Sequence, residues 1–395
     1  MATLLQLRQE CKYRGYKGCS HFNKEELMKF IATHSSNALI EPDFVLQPMI
    51  TYIGNKRKLV PWIMDVIKRE VGINIRVFDG FAGSGVVSRA LMSICSELHS
   101  NDMEYYSYIL LRCFLETPTL EQKSRIDKHF DHILSLPNET GYIANLYSPI
   151  NTDNPLADER CFYTRENAII IDTLIKYIKD VEPDIKHYLL GPLLIKASIN
   201  VNTAGVFRGF YKKDGIGHFG GKGENALERI LAPIQLEKPT WSRTSCKSFC
   251  YHSDINNIEL DGHFDLIYLD PPYNEHPYGS NYFMLNIIAR GEEPTDCSRI
   301  SGIPKIWNKS SFNGRGSAYD AMVSLLRKCL EKATYVLISY NNEGLITDWS
   351  SIFETLQCSA KKFEKDYDTY HGSRNLNERN KKVVEIMYLI KKLNI

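Results

Sequence analysis

The chain runs to 395 residues, 43% of them apolar and 24% charged, with a formal net charge of +1. Such a length predicts two or three structural units, and such a composition an ordinary, well-packed soluble protein. A charge this close to zero excludes a global field for nucleic acid, so any DNA-binding surface has to be local.

The ten cysteines show no metal-ligand spacing; Cys246 and Cys250 are the closest pair, and no CxxC or Cys/His cluster accompanies them. Scattered single cysteines fit reduced thiols in an intracellular protein. The N-terminus soon meets Arg8 and Glu10 and reads as no signal peptide. The most apolar stretch, residues 188–199, is interrupted by Lys196 and is too short to span a bilayer. No membrane partner is expected.

Residues 1–34 read as two short helices. Leu4, Leu7 and Cys11 form one apolar face that Gly15 and Gly18 break, and Ser20 or Asn23 can cap a second helix carrying Leu27, Phe30 and Ile31. Residues 35–47 read as a linker. Residues 59–71 have helical periodicity. Arg76-Val77-Phe78-Asp79 is a short apolar strand, followed by Gly80-Phe81-Ala82-Gly83-Ser84-Gly85 and a helix through Leu91. Glu97-Leu98-His99-Ser100 is the next strand, stopping at Asn101-Asp102, which makes a parallel βαβ unit within residues 48–115. Residues 116–245 change character: helical patterns at 123–134 and 168–181 lack intervening strands, and a glycine-, lysine- and aromatic-rich stretch covers 205–223. From Phe249 the alternation resumes, with strands at 266–269, 335–339 and 383–390. The expectation is an α/β, Rossmann-like sheet built from residues 48–115 and 246–395, interrupted by a mainly helical inserted domain, 116–245.

The strongest signal is Leu266-Ile267-Tyr268-Leu269-Asp270-Pro271-Pro272-Tyr273, a buried strand that ends abruptly. The prolines fix the backbone and supply no N–H donors, so their carbonyls can point into a cleft. At the carboxyl edge of a parallel sheet such a turn lies where ligands bind. The chemistry that suits it is methylation of an adenine amine, a poor nucleophile because its lone pair is delocalised into the ring. Asp270 and a carbonyl of Pro271 or Pro272 can each accept one amine hydrogen, favouring a tetrahedral nitrogen whose lone pair attacks a sulfonium methyl in line. Tyr273 would stack on the base, which has to be flipped out of the duplex. A tight turn whose aspartate caps a helix is the plainer alternative.

The second signal is the glycine turn. Gly80, Phe81, Ala82, Gly83 and Gly85 would let S-adenosylmethionine (SAM) approach the backbone closely, and Asp79 can accept from its amino group. Asp102, roughly twenty residues on, can bond both ribose hydroxyls, as in dinucleotide folds. Asp254, just before the Asp-Pro-Pro-Tyr strand, can bond the amino group of the SAM adenine, and Asp270 borders the cofactor as well as the base. A plain βα turn, a surface helix cap and an ordinary loop aspartate are the competing readings. No metal is required, since the sulfonium is itself the electrophile.

Together these pieces resemble the Dam-type, alpha-ordered N6-adenine-specific DNA methyltransferases, in which the cofactor motif comes first, the recognition region next and the catalytic turn last. Pro48-Met49-Ile50-Thr51-Tyr52-Ile53-Gly54-Asn55-Lys56-Arg57-Lys58-Leu59 looks like the family's N-terminal motif, and the resemblance implies that Tyr52 and Lys56 help hold SAM. The usual second glycine is replaced by Asn55. Asn281-Tyr282-Phe283 and Ser339-Tyr340-Asn341-Asn342-Glu343-Gly344 are similar to a subgroup with an Asn-Tyr pair after the turn. The resemblance covers residues 48–395. It implies that the insertion is a target-recognition domain, whose basic, aromatic run Asn202-Thr203-Ala204-Gly205-Val206-Phe207-Arg208-Gly209-Phe210-Tyr211-Lys212-Lys213, continued to Lys222, contacts phosphates and base edges. Arg374 is a further candidate for a phosphate. Residues 1–34 resemble a SAP-type helix-extended-loop-helix through Leu7, Cys11, Gly15, Lys24 and Leu27, a module that binds DNA backbone by charge.

The expected partner is double-stranded DNA with a flipped adenine, for a modification enzyme of a restriction–modification system or a solitary methylase, as a monomer or weak dimer. The alternatives are a SAM-dependent amino methyltransferase acting on cytosine N4 or RNA, and a catalytically dead DNA-binding protein of the same fold.

Overall fold

The computed structural model describes residues 3–4, 7–8, 11, 21–34, 42–45, 47–368 and 382–393. Gly15 and Arg374 lie outside the described residues, as does the side chain of Lys222.

Helix α1, Lys24–His34, begins at Asn23, whose Oδ1 accepts from Glu26 N at 3.0 Å while Glu26 Oε2 accepts from Asn23 N at 2.8 Å. This reciprocal box satisfies two donors that a helix start leaves free. Leu7, Cys11 and Leu27 pack together in a small core of their own. The end of the expected linker is packed: α2, Pro42–Val45, buries Phe44 and Val45 in the main core, and Gln47 Nε2 donates to Phe44 O and Thr240 O.

The centre is a seven-stranded sheet. Its strands are β1 (Ile75–Asp79), β2 (Cys95–Asp102), β5 (Lys247–His252), β6 (Phe264–Leu269), β7 (Ala333–Asn341), β8 (Cys358–Asp368) and β9 (Lys382–Lys392), in the order β5-β2-β1-β6-β7-β9-β8. The first five run parallel, and β9 is antiparallel to both β7 and β8. Strand side chains alternate between faces, so Val77, Leu266, Tyr268 and Leu337 enter one core and Phe78, Ile267, Leu269, Val336 and Ile338 the other. Both faces are covered, as an essentially parallel sheet requires. The second face carries α13 (Ala318–Lys332) and α14 (Trp349–Thr355) through Met322, Leu325, Leu326 and Ile352.

The first face is thicker. It carries α3 (Val60–Glu70), α4 (Val86–Leu91), α5 (Tyr105–Leu115) and α12 (Phe283–Arg290), and also α8 (Arg165–Lys179) and α9 (His187–Ile199). Helix α9 is the stretch 188–199 noted for its apolarity. It is apolar nearly all round because it is buried nearly all round. The helices of residues 116–245 thus share a core with the sheet. Among the described residues no helix is long and apolar enough to cross a membrane. The basic run forms a hairpin of β3 (Lys212–Lys213) and β4 (Ile216–Gly217).

Candidate active site at the switch point of the sheet

The chain leaves β1 toward β2 on one side, while β6 lies on the other. Ligands bind at such a reversal, outside the carboxyl ends of the strands. Asp79 pairs in register with Tyr268, and Gly80 N donates to Tyr268 O at 2.9 Å, so the glycine turn and the Asp-Pro-Pro-Tyr turn leave the sheet side by side. Between them opens a cleft. Tyr52, Lys56, Asp79, Gly80, Phe81, Ala82, Gly83, Asp102, Asp254, Asp270, Pro271, Pro272 and Tyr273 all line it. Gly85 does not: with φ of 75° it caps α4. Gly83, at φ 53°, is needed for a different reason, since a Cβ there would meet the Tyr52 ring at 2.8 Å.

Five acids share the cleft wall, Asp79, Asp102, Glu104, Asp254 and Asp270. Asp79 is fully buried; its Oδ2 accepts from Ser88 Oγ at 2.6 Å and its Oδ1 has no partner. Burial, reinforced by Asp270 and Asp102, pushes its pKa up to about 7. Asp102 accepts from Gly83 N and Glu104 N, each at 2.8 Å, so one carboxylate pins the glycine turn to the end of β2. Burial outweighs those bonds and lifts its pKa to about 6. Glu104, which sequence reading missed, is buried between Asn286 and the cleft, and desolvation raises it to about 7. Asp254 is partly exposed, and its Oδ1 accepts from Asn256 N and Nδ2 at 3.0 and 2.9 Å.

Beside the remaining acid, Asp270, stands Lys56. Gly54, at φ 74°, turns the chain, and Asn55 caps the short helical turn Lys56–Lys58 by accepting from Arg57 N at 2.8 Å. At φ −55°, Asn55 needs no glycine. Lys56 Nζ lies 3.0 Å from Asp270 Oδ1 and 2.8 Å from Glu385 Oε1. Burial works against the ammonium, but the two carboxylates prevail and hold its pKa well above the ordinary value. Asp270 goes up to about 6 because burial exceeds the pull of Lys56. Glu385 was also missed, though a lone acid in the apolar run 383–390 was its signal. The aromatic side of the cleft is a stack: Tyr52 lies 5.0 Å from Tyr278 and 5.1 Å from Tyr282. Lys56 Nζ sits 5.5 Å from the centre of the Tyr273 ring.

The hairpin is fastened nearby. Asn202, fully buried, donates through Nδ2 to Cys161 O and His218 O, and Phe207 N donates to Asn281 O in the short helix Tyr278–Asn281 that follows the Asp-Pro-Pro-Tyr turn. Arg208, Lys212 and Lys213 project from this anchored base and are exposed.

A doubly wound sheet with this cleft at its switch point defines a Rossmann-like methyltransferase fold. Residues 52–363 match the D12 class N6 adenine-specific DNA methyltransferase family, and the chain belongs to it. It is 28% identical over 360 residues to the type II methyltransferase M.NlaIII of Neisseria lactamica, covering 87% of this chain and 99% of that one. It is 30% identical over 308 residues to the type II methyltransferase M.CviAII of Paramecium bursaria Chlorella virus 1, covering 75% and 85%. It is 29% identical over 366 residues to the modification methylase StsI of Streptococcus sanguinis, where the match covers 86% of this chain but 52% of the relative. The chain is therefore a DNA adenine methyltransferase.

Proposed function

We propose that the cleft binds SAM along the glycine turn and presents an extruded adenine to Asp270, and that the enzyme works as the modification arm of a restriction–modification system. The observation that carries this reading is the shared cleft of Asp79 and Asp270 at the switch point. When bound, SAM supplies an electrophilic sulfonium methyl. Its two cationic centres suit a cleft with several buried carboxylates, and the unpartnered Asp79 Oδ1 suits its ammonium. Asp102 and Asp254 keep their roles toward ribose and adenine, each Asp102 oxygen having a second lone pair beyond its backbone bond and Asp254 offering Oδ2, since Asn256 takes Oδ1. Tyr52 backs the glycine turn, and Lys56 serves Asp270 rather than touching SAM first. Asp270 and a proline carbonyl each accept a hydrogen bond from one amine hydrogen, and Tyr273 stacks on the flipped base. The region 116–245, through Arg208, Lys212 and Lys213, is the part that meets the duplex, while 48–115 and 246–395 hold cofactor and chemistry.

Incubation with labelled SAM and duplex DNA, followed by digestion to nucleosides, should yield N6-methyladenine; N4-methylcytosine as the sole product would overturn the reading. In the same assay Lys212→Ala/Lys213→Ala should weaken DNA binding and flatten its salt dependence by a slope of about 2, one per lost phosphate contact. An unchanged salt slope would remove the hairpin from the interface.

SAM affinity should depend on pH through Asp79. With its pKa near 7, Asp79 is ionised at pH 8 and largely protonated at pH 6. A cationic partner binds the ionised form, so the dissociation constant should rise about tenfold from pH 8 to pH 6. Asp79→Asn should bind weakly at both. Calorimetry showing a flat profile in the unmutated enzyme would detach Asp79 from the SAM ammonium.

A further inference from the structure

The Lys56 ammonium is shared by two carboxylates. One is Asp270, at the end of β6; the other is Glu385, on antiparallel β9. Glu385 Oε1 also accepts from Ser339 Oγ at 2.8 Å, so β7 and β9 together hold it against Lys56. Glu385 is 4% exposed and is not part of the cleft wall, so anything it does for the reaction passes through Lys56. One buried and one largely buried carboxylate around one cation are costly to the fold, and a second acid adds nothing to fixing a simple Lys–Asp pair.

We propose that Glu385 is a positioning residue of the methyl-transfer site, which by sharing the Lys56 ammonium leaves Asp270 with a net negative charge to set against the adenine amine. The inference rests on the reading of Asp270 given above. Lys56 and Asp270 alone would be neutral; with Glu385 the cluster carries one negative charge. The amine nitrogen turns positive as its lone pair becomes the new N–C bond and the S–C pair returns to sulfur, leaving a neutral thioether; the nitrogen then gives up one of its two hydrogens as a proton to solvent. A fixed negative charge in a buried, pre-organised setting stabilises that developing charge far more than it would in water. Asp270 also meets Asp79 from β1, Tyr268 from β6 and Tyr278 beyond the turn, none of them a cation.

The test compares Glu385→Gln with the unmutated enzyme and with Asp270→Ala. Glu385→Gln keeps the shape and the acceptor for Lys56 but deletes the charge. Its kcat should fall about 10- to 100-fold, with SAM affinity within about threefold, a shift too small to signal a lost contact. The acid limb of kcat, expected near pH 6 from Asp270, should move to lower pH once the neighbouring negative charge is gone. A kcat within twofold of the unmutated enzyme, or an unmoved acid limb, would overturn the proposal. So would a fall in kcat matched by equal losses of SAM affinity and melting temperature, the mark of a merely structural role. Should Glu385→Gln fail to fold, Glu385→Asp beside Glu385→Ala takes its place: near-normal turnover in the charge-preserving Asp against a lower kcat and a shifted acid limb in Ala supports the proposal, and equal turnover in the two sinks it. The two readings fail separately. Turnover surviving in Asp270→Ala removes Asp270 and with it the basis for Glu385; a dead Asp270→Ala beside a normal Glu385→Gln removes Glu385 alone.

Discussion

Asp270→Ala is expected to bind SAM measurably and to lose methyl transfer by several orders of magnitude. Removing one pre-organised group that meets charge developing in a transition state costs about 10²–10³-fold. On the proposed reading Asp270 accepts an amine hydrogen and also bears the negative charge of its cluster, so its loss should lie at or above the upper end of that range. The fold should tolerate the change. Lys56 keeps its bond to Glu385, which is itself held by Ser339, so no buried cation is orphaned. The glycine turn, pinned by Asp102 at Gly83 N, does not depend on Asp270 at all. Single-turnover kinetics beside SAM calorimetry separates the two effects. Near-normal turnover would remove Asp270 from the mechanism.

Lys56→Met should act on stability first. It leaves Glu385 buried and Asp270 largely buried on either side of an apolar side chain, and breaking a buried pair by deleting one partner costs at most about 3–5 kcal/mol. The pH dependence has a definite sign. Asp270 already stands at about 6, above its unfolded value, and loss of the cation raises it further. A carboxyl whose folded pKa is raised binds protons more readily folded than unfolded, so the penalty is absent below the unfolded pKa, near 4. It grows as pH rises toward the folded pKa and is complete above it. Urea melts of Lys56→Met should therefore approach those of the unmutated enzyme at pH 4.5 and fall well short at pH 8. Equal midpoints at pH 8 would mean that the two acids need no cation.

Much of this machinery has a local cause and was readable along the chain. A strand that must enter a helix within a few residues needs left-handed backbone, and Gly83 and Gly85 supply it. An apolar run closed by two prolines can only end at a sheet edge, and Asp270 is where it ends. Strand alternation then assigns Val77 and Phe78 to opposite cores with no further information. These short-range rules, with the order of the motifs, were enough to anticipate a Rossmann-like sheet and the chemistry of its edge.

Tertiary structure alone decided who meets whom. Gly85 sits in the cofactor motif yet does not line the cleft; it caps α4, whose Val86 and Val87 do, while Gly83, two residues earlier, packs on Tyr52. Asn55 replaces an expected glycine without strain, since the left-handed step falls at Gly54. Lys56 belongs by motif with the cofactor residues, but packing brings it to Asp270. Glu385 stands near the other end of the chain and becomes its partner because β9 folds back beside β7. Burial and charge pairing depend on which distant segments exclude water from one another. The sequence determined each residue's chemistry, and the packed sheet determined which of those residues lost their water together.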